Sequence, residues 1–145
     1  MFTLPLLALV LAADPPAFIV HTGQFEKNSS GLSGDASFLL FTSAAAFDKV
    51  FGTVPPVGVR KPNPMNAGTF DKNAVAAVIR RGKAVVTYTE VSVKVDGDTA
   101  TVKYSTEAGT PGTATFASPL VVSFPKGSVT KVVFVENGKE VGVGK

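Results

Sequence analysis

The Asp96-Gly97 pair between two alternating runs constrains this chain more than any other feature. An Asp-Gly pair flanked by alternating hydrophobic residues is the strongest short hairpin signal, because a type I′ turn needs positive φ at both central residues. We therefore predict one long β-hairpin over Ala84–Tyr104. With a two-residue loop at this pair, the predicted cross-strand pairs are Val93–Ala100, Val91–Val102, Lys94–Thr99, Ser92–Thr101 and Glu90–Lys103.

A second turn of the same kind is expected at Asn137-Gly138, with Glu136 facing Lys139 and Phe134 facing Val141. Apolar or alternating runs predict the remaining strands, which are 17–20, 38–41, 75–80 and 114–124. Hairpins dominate, and strands do not alternate with helices. We therefore expect a mainly β (α+β) fold, an antiparallel sheet or sandwich of about seven or eight strands with one short helix near 43–51.

That helix has its own start and stop residues. Thr42 or Ser43 is placed to cap its first N–H groups, and an apolar stripe begins at Phe47 with i, i+3, i+4 spacing. Gly52 follows directly, and we expect it to take the left-handed conformation after the last turn.

Composition predicts one domain with a substantial core. The chain has 145 residues, of which 45% are hydrophobic and only 17% are charged. The net charge is +3, and the basic residues are spread along the chain apart from Arg60-Lys61 and the run 80–83. Binding to nucleic acid needs a denser basic stripe with stacking aromatic residues, so no nucleic-acid partner is expected.

The N-terminus is typical of a secretory signal peptide. An apolar run over 3–13 ends in small residues, and Asp14-Pro15-Pro16 stops any helix. We predict a signal peptide at 1–13, cleaved after Ala12 or Ala13, and a single β-rich domain at 14–145. The run is too short to span a bilayer, so we expect a secreted, periplasmic or cell-envelope protein without stable membrane insertion after cleavage.

Few residues suit catalysis or metal binding. There is no cysteine, which excludes disulfides, thiolate catalysis and Cys-based metal sites, and His21 is the only histidine. We expect His21 to be a half-exposed polar residue at a strand end. No catalytic, cofactor-binding or metal-binding residues are predicted, and a hydrolase built on His21 is the least favoured alternative.

The segment Thr53–Thr69 is the best candidate for contact with a partner. Its prolines favour extended or turn conformations, and a connection of this length is often functional. Pro119 interrupts the strand 114–124, so we expect an edge strand or a bulge there. The candidate partner-contact residues are Pro55, Pro56, Arg60, Lys61, Pro62 and Pro119. One alternative is a protease inhibitor that presents the Arg60–Lys61 bond to a trypsin-like enzyme.

The second half of the chain resembles the PrcB C-terminal domain family, extracytoplasmic domains named after a subunit of a bacterial protease complex. The resemblance is carried by Phe70-Asp71-Lys72, the run 75–78, the turn at Gly82, the long hairpin, the stretches 117–122 and 132–138, and a helix upstream. It implies a non-enzymatic accessory domain that binds or stabilises a partner protein, such as a secreted or surface protease. No catalytic residue carries over from the family.

Overall fold

A computed structural model describes residues 17–54 and 63–145 of the chain. The predicted signal peptide at 1–13 lies outside these residues. So do Pro55, Pro56, Arg60, Lys61 and Pro62. The elements are β1 Ile19–His21, β2 Gln24–Glu26, β3 Ala36–Phe41, α1 Ala44–Val50, β4 Phe51–Thr53, a 3-10 helix Ala67–Asp71, β5 Asn73–Gly82, β6 Val86–Asp96, β7 Thr99–Ala108, β8 Phe116–Pro125, β9 Lys131–Glu136 and β10 Lys139–Gly144.

The strands form three sheets, which confirms the mainly β fold with one short α-helix. The first sheet has the order β1-β8-β5-β3, the second sheet has the order β10-β9-β7-β6, and the small sheet pairs β2 with β4. The described ranges contain ten strands rather than seven or eight, because two segments without a strand pattern form the three-residue strands of the small sheet. Pairing is antiparallel throughout except between β7 and β9, which are parallel.

The first sheet is buried on both faces. One face packs against the second sheet, with Val78, Val122 and Phe124 meeting residues such as Val102 and Phe134. The other face packs against α1, β4 and the 3-10 helix. The buried residues of this second cluster are Phe41, Phe47, Val50, Phe51, Phe70, Val75, Ala77, Ile79 and Val121. A strand buried on both faces reads as a continuous apolar run, which explains the sequence Val-Ala-Ala-Val-Ile of β5.

The long hairpin forms, but its predicted register is wrong by two residues. Asp96 pairs with Thr99 and Val93 pairs with Val102, so the loop residues are Gly97 and Asp98. Gly97 has φ of 62°, whereas Asp98 is not among the residues with positive φ. Glycine at the first central position is the pattern of a type II′ turn, which moves the loop by one residue. A shift of two partners leaves each side chain on its predicted face.

The predicted pairing of Glu90 with Lys103 is also wrong. The register of β6 against β7 shifts between Thr89 and Ser92, and Glu90 takes φ of 53° within this bulge. The Glu90 carboxylate accepts a hydrogen bond from Ser105 Oγ at 3.0 Å, while Lys103 lies opposite Ser92. The bulge bends an exposed edge strand, which discourages pairing with another chain.

The second hairpin turns at Asn137-Gly138 as predicted. Both residues have positive φ, 51° and 81°, and Glu136 pairs with Lys139. The register then shifts between Glu140 and Gly142, so Phe134 pairs with Gly142 rather than with Val141. A one-residue bulge of this kind lies beyond what turn residues alone determine.

The helix α1 has the predicted cap but not the predicted stop. Ser43 Oγ accepts the Ala46 N–H at 3.2 Å, as an N-cap does. Gly52 is not left-handed, because the chain passes from α1 directly into β4. A Cβ atom at Gly52 would lie 2.5 Å from the ring of Phe25. A larger residue at this position would have to displace the Phe25 ring, which lies against the backbone of the neighbouring strand.

Candidate functional site

A groove lies where β1 ends beside the inner strand β8. We call it the edge groove, and it has a volume of about 250 Å³. Its lining residues are Val20, His21, Thr22, Gly23, Gln24, Tyr88, Pro119 and Leu120.

Pro119 lines this groove, but it does not lie on an edge strand or in a bulge. β8 pairs with β5 without interruption from Phe116 to Pro125, and β1 pairs with β8 on the other side. The pairing with β1 stops where His21 meets Val121, two residues after Pro119. An inner strand tolerates proline at a position where one neighbour has already ended, since fewer ladder hydrogen bonds are required there.

His21 lies at the end of β1, as predicted, but it is buried rather than half-exposed, with 8% of its surface exposed. Its Nε2 lies 2.7 Å from Ser123 Oγ on β8, a hydrogen bond that joins the two strands. Burial lowers the pKa of His21, and nearby backbone carbonyls of Asn63 and Pro64 act in the opposite direction. The imidazole is therefore neutral near pH 7.

Two side-chain nitrogens at the edge groove have no hydrogen-bond partner. They are Gln24 Nε2 and His21 Nδ1, and both atoms are buried. The backbone carbonyls of Asn63 and Pro64 lie near the His21 ring, but no hydrogen bond of good geometry forms to Nδ1. Leaving a buried polar group unpaired costs roughly 1–3 kcal/mol, so each such group in a folded protein requires an explanation. In the part of the chain that the structure describes, the one other buried side-chain atom without a partner is Tyr104 Oη, which does not line the groove.

The start of β6 forms the opposite wall of the groove. Tyr88 Oη donates to the Ser118 carbonyl at 2.6 Å, and the Val86 N–H donates to Ser118 Oγ at 2.9 Å. Burial raises the pKa of Tyr88, which keeps its hydroxyl protonated. This wall joins the second sheet to β8 close to Pro119, so the groove is held by both large sheets.

The residues on either side of 55–62 form hydrogen bonds with two residues that line the edge groove. Before this segment, the Val54 N–H donates to the Gly23 carbonyl at 2.7 Å. After it, the Asn63 N–H donates to Thr22 Oγ1 at 2.9 Å, and the Thr22 N–H donates to the Asn63 carbonyl at 2.9 Å. The chain therefore leaves and re-enters the described structure beside the edge groove.

Large apolar side chains are exposed on the strands that form the groove and beside it. Ile19 on β1, Phe25 on β2 and Val54 after β4 adjoin lining residues and are between 40% and 52% exposed. Phe116 at the start of β8 is 39% exposed and lines a separate pocket with Glu26 and Arg81. Two further exposed residues of this kind, Val85 and Val143, lie elsewhere in residues 17–54 and 63–145. Apolar exposure that is concentrated on one side is typical of a surface that contacts another protein.

The chemistry available at the groove is hydrogen bonding. Ser123 and His21 form a nucleophile–base pair in outline, but Ser123 is 3% exposed, and no carboxylate hydrogen-bonds to His21 Nδ1 among the residues described. The same residues contain no group of three or more His, Cys, Asp or Glu side chains that could hold a metal ion. Within 17–54 and 63–145, the helices are too short to cross a membrane.

Comparisons with protein-family models, with curated proteins and with solved structures found no match to this chain. The resemblance to PrcB C-terminal domains therefore stays a prediction from the residues quoted for it.

Sequence reasoning missed most of this site. It selected Pro119. It did not predict that His21 is buried and joins β1 to β8, and it did not select Gln24. His21 and Ser123 are separated by 102 residues, and no short motif marks such a pair. The one available signal is Gly23, which takes φ of 86° and separates β1 from β2 directly at the groove.

Proposed function

We propose that this protein is a non-enzymatic, secreted or cell-envelope accessory domain that binds a partner protein at the side formed by β1, β2 and the start of β8. The resemblance to PrcB C-terminal domains suggests a secreted or surface protease as the partner. The observation that carries the proposal is the exposure of apolar side chains on these strands: Ile19, Phe25 and Val54 adjoin residues that line the edge groove, and Phe116 lies at the start of β8.

The electrostatics of this surface support a polypeptide partner. Among residues 17–54 and 63–145, those that line the edge groove carry no carboxylate, ammonium or guanidinium group. Protein interfaces are depleted in charge at their centre and enriched in aromatic residues. Tyr88 lines the groove and Phe25 is exposed on β2 beside it, so both supply aromatic surface here. The Pro-rich segment 55–62 is flanked by residues that hydrogen-bond to Thr22 and Gly23. We therefore include the candidate contact residues of this segment in the proposed binding surface.

Site-specific photo-crosslinking tests the proposal. Phe116 is 39% exposed, so Phe116→p-benzoylphenylalanine adds a photoreactive group at little structural cost. The source organism's released and surface proteins are the target, and we expect one discrete adduct that excess unlabelled protein suppresses. Mass spectrometry then identifies the partner.

Val143→p-benzoylphenylalanine is the matched control, because Val143 is 44% exposed and lies on β10 of the second sheet. Adducts that are the same for Val143 and Phe116, or no adduct at Phe116, contradict the proposed surface.

Incubation with trypsin separates binding from protease inhibition. We expect cleavage of the Arg60–Lys61 bond, since Pro62 follows Lys61 and blocks cleavage there, without loss of trypsin activity towards a small substrate. Stoichiometric inhibition of trypsin would instead favour an inhibitor that presents the Arg60–Lys61 bond.

A further inference from the structure

The turn of the second hairpin carries the one Asn-Gly pair of the chain, at Asn137-Gly138. Asparagine is a thermolabile residue. A following glycine makes it more so, because glycine has no Cβ atom to hinder its own backbone nitrogen. Asn137 is exposed to water between β9 and β10. The pair that forms the turn is therefore also the chemically weakest point of the hairpin.

Deamidation of such a pair requires only the chain itself and water. The backbone nitrogen of Gly138 attacks Cγ of Asn137, so that an N–C bond forms and the Cγ–Nδ2 bond breaks. Nδ2 leaves as ammonia and takes the proton of the Gly138 amide. Water then opens the resulting succinimide at either carbonyl, which gives aspartate or isoaspartate, and no electrons are transferred.

The turn keeps the reacting atoms apart. Asn137 and Gly138 have φ of 51° and 81°, as the two central residues of a type I′ turn do. In left-handed backbone the nitrogen of the next residue lies on the far side of the Cα–C bond from Cβ. The attack on Cγ requires rotation about this bond in Asn137, and that rotation breaks the turn.

The side chain of Asn137 is held in place as well. Its Oδ1 accepts the Thr106 N–H at 2.9 Å, and its Nδ2 donates to Thr106 Oγ1 at 3.0 Å. The Asn137 N–H donates to the Tyr104 carbonyl at 2.9 Å. Three hydrogen bonds to β7 therefore fix both the backbone and the amide of this exposed residue.

We propose that Asn137 is a latent deamidation site, protected while the hairpin of β9 and β10 is closed and modified when the hairpin opens. β10 is an edge strand of its sheet, and elements with few partners open most readily. Aspartate at this position loses the Nδ2 donor to Thr106 and adds a charge beside Glu136. Isoaspartate also lengthens the backbone of a two-residue turn, so the modified hairpin closes less well.

Peptide mapping measures the rate of modification. The wild-type protein is kept in mildly alkaline buffer, samples are digested briefly with trypsin, and mass spectrometry follows the conversion of amide to carboxyl in the peptide 132–139. The same chain unfolded in guanidinium chloride gives the unprotected rate. We expect Asn137 to react at least about tenfold more slowly in the folded protein.

Thr106→Val removes the acceptor for Nδ2 with little change in the shape of the side chain. Loss of this hydrogen bond should raise the rate in the folded protein roughly two- to tenfold and leave the rate in the unfolded chain unchanged. Thr101→Val is the matched control, because Thr101 lies on the same strand opposite Lys94. It should react at the wild-type rate in both states.

The modified protein gives a second measurement. We expect its isoaspartate form, separated by chromatography, to unfold at a lower urea midpoint than the wild type, and an equal midpoint would overturn the effect on hairpin closure. Equal rates in the folded and unfolded chain, or equal rates for Thr106→Val and wild type, would overturn the protection. An unfolded chain in which Asn137 stays intact would overturn the site itself.

Discussion

The two four-stranded sheets pack against each other through one face each. Their opposite faces differ, because one is covered by other elements and the other is exposed to solvent. The first sheet covers its second face with α1 and the small sheet, so that Val121 is only 1% exposed. The second sheet leaves its outer face to solvent, where Ser92, Lys94 and Lys103 are exposed. We therefore infer that burial on both faces fixes the structure of the first sheet, whereas the turn residues of its two hairpins fix much of the structure of the second. The candidate site lies where strands of the first sheet end.

The largest difference in unfolding free energy should come from replacing one valine by alanine on the face of each sheet that points away from the other sheet. Val121→Ala opens a cavity between β8 and the helix side of the core, and we expect a loss of roughly 2–3 kcal/mol in the free energy of unfolding. Val133 on β9 is only partly buried, and Val133→Ala should cost less than about 0.5 kcal/mol. Urea unfolding of both variants checks this, and equal losses would mean that the outer face of the second sheet is covered in solution.

The contact between the sheets at β3 and β10 should give the next largest effect. A Cβ atom at Gly142 would lie 2.3 Å from the Phe38 ring, which itself packs 5.2 Å from the Phe134 ring between centroids. Gly142→Ala must displace this ring, and we expect a loss of about 2 kcal/mol.

The control for this contact is Gly82→Ala, because a Cβ at Gly82 meets no atom within 4 Å and its φ is not positive. The control should be neutral within about 0.5 kcal/mol. Similar thermal midpoints for the two variants would contradict close packing of β10 on β3.

The turn of the long hairpin tests how far the second sheet depends on local conformation. Gly97 has φ of 62° at the first central position of the turn, and Gly97→Val forces a β-branched residue to a positive φ at a cost of about 1–2 kcal/mol. Gly97→Asn should cost less, because asparagine adopts a positive φ in tight turns more readily than a β-branched residue does. The difference between the two urea midpoints measures the strain, and a Val variant as stable as the Asn variant would place the turn elsewhere.

The same contrast explains what the sequence could predict. Gly97 and Asn137-Gly138 mark their turns locally, so both hairpins and the side-chain faces of β6 and β7 follow from the pattern. The bulges at Glu90 and Val141 do not, because they depend on how each strand bends over the core.

Contacts between distant residues were less predictable. Gly52 resembles a helix stop, but its neighbour is Phe25, which is remote in sequence and adjacent only across the small sheet. The parallel pairing of β7 with β9 likewise requires β8 to cross into the first sheet between them. The edge strand or bulge predicted at Pro119 is likewise wrong, since Pro119 lies on an inner strand whose neighbour β1 ends two residues away, and its contact with a partner stays a prediction.

The smallest effect on stability should come from the titration of His21, which is buried at the end of β1 beside the edge groove. Its pKa is lowered in the folded protein, so the unfolded chain takes up a proton more readily as the pH falls. Stability from this residue is complete above the ordinary histidine pKa of about 6.5 and declines as the pH falls below that value. Because His21 is the only histidine, His21→Gln should flatten the dependence of the urea midpoint on pH between about 5 and 7. If the wild-type midpoint does not change over that interval, the ring is not desolvated and the groove is open to water at His21.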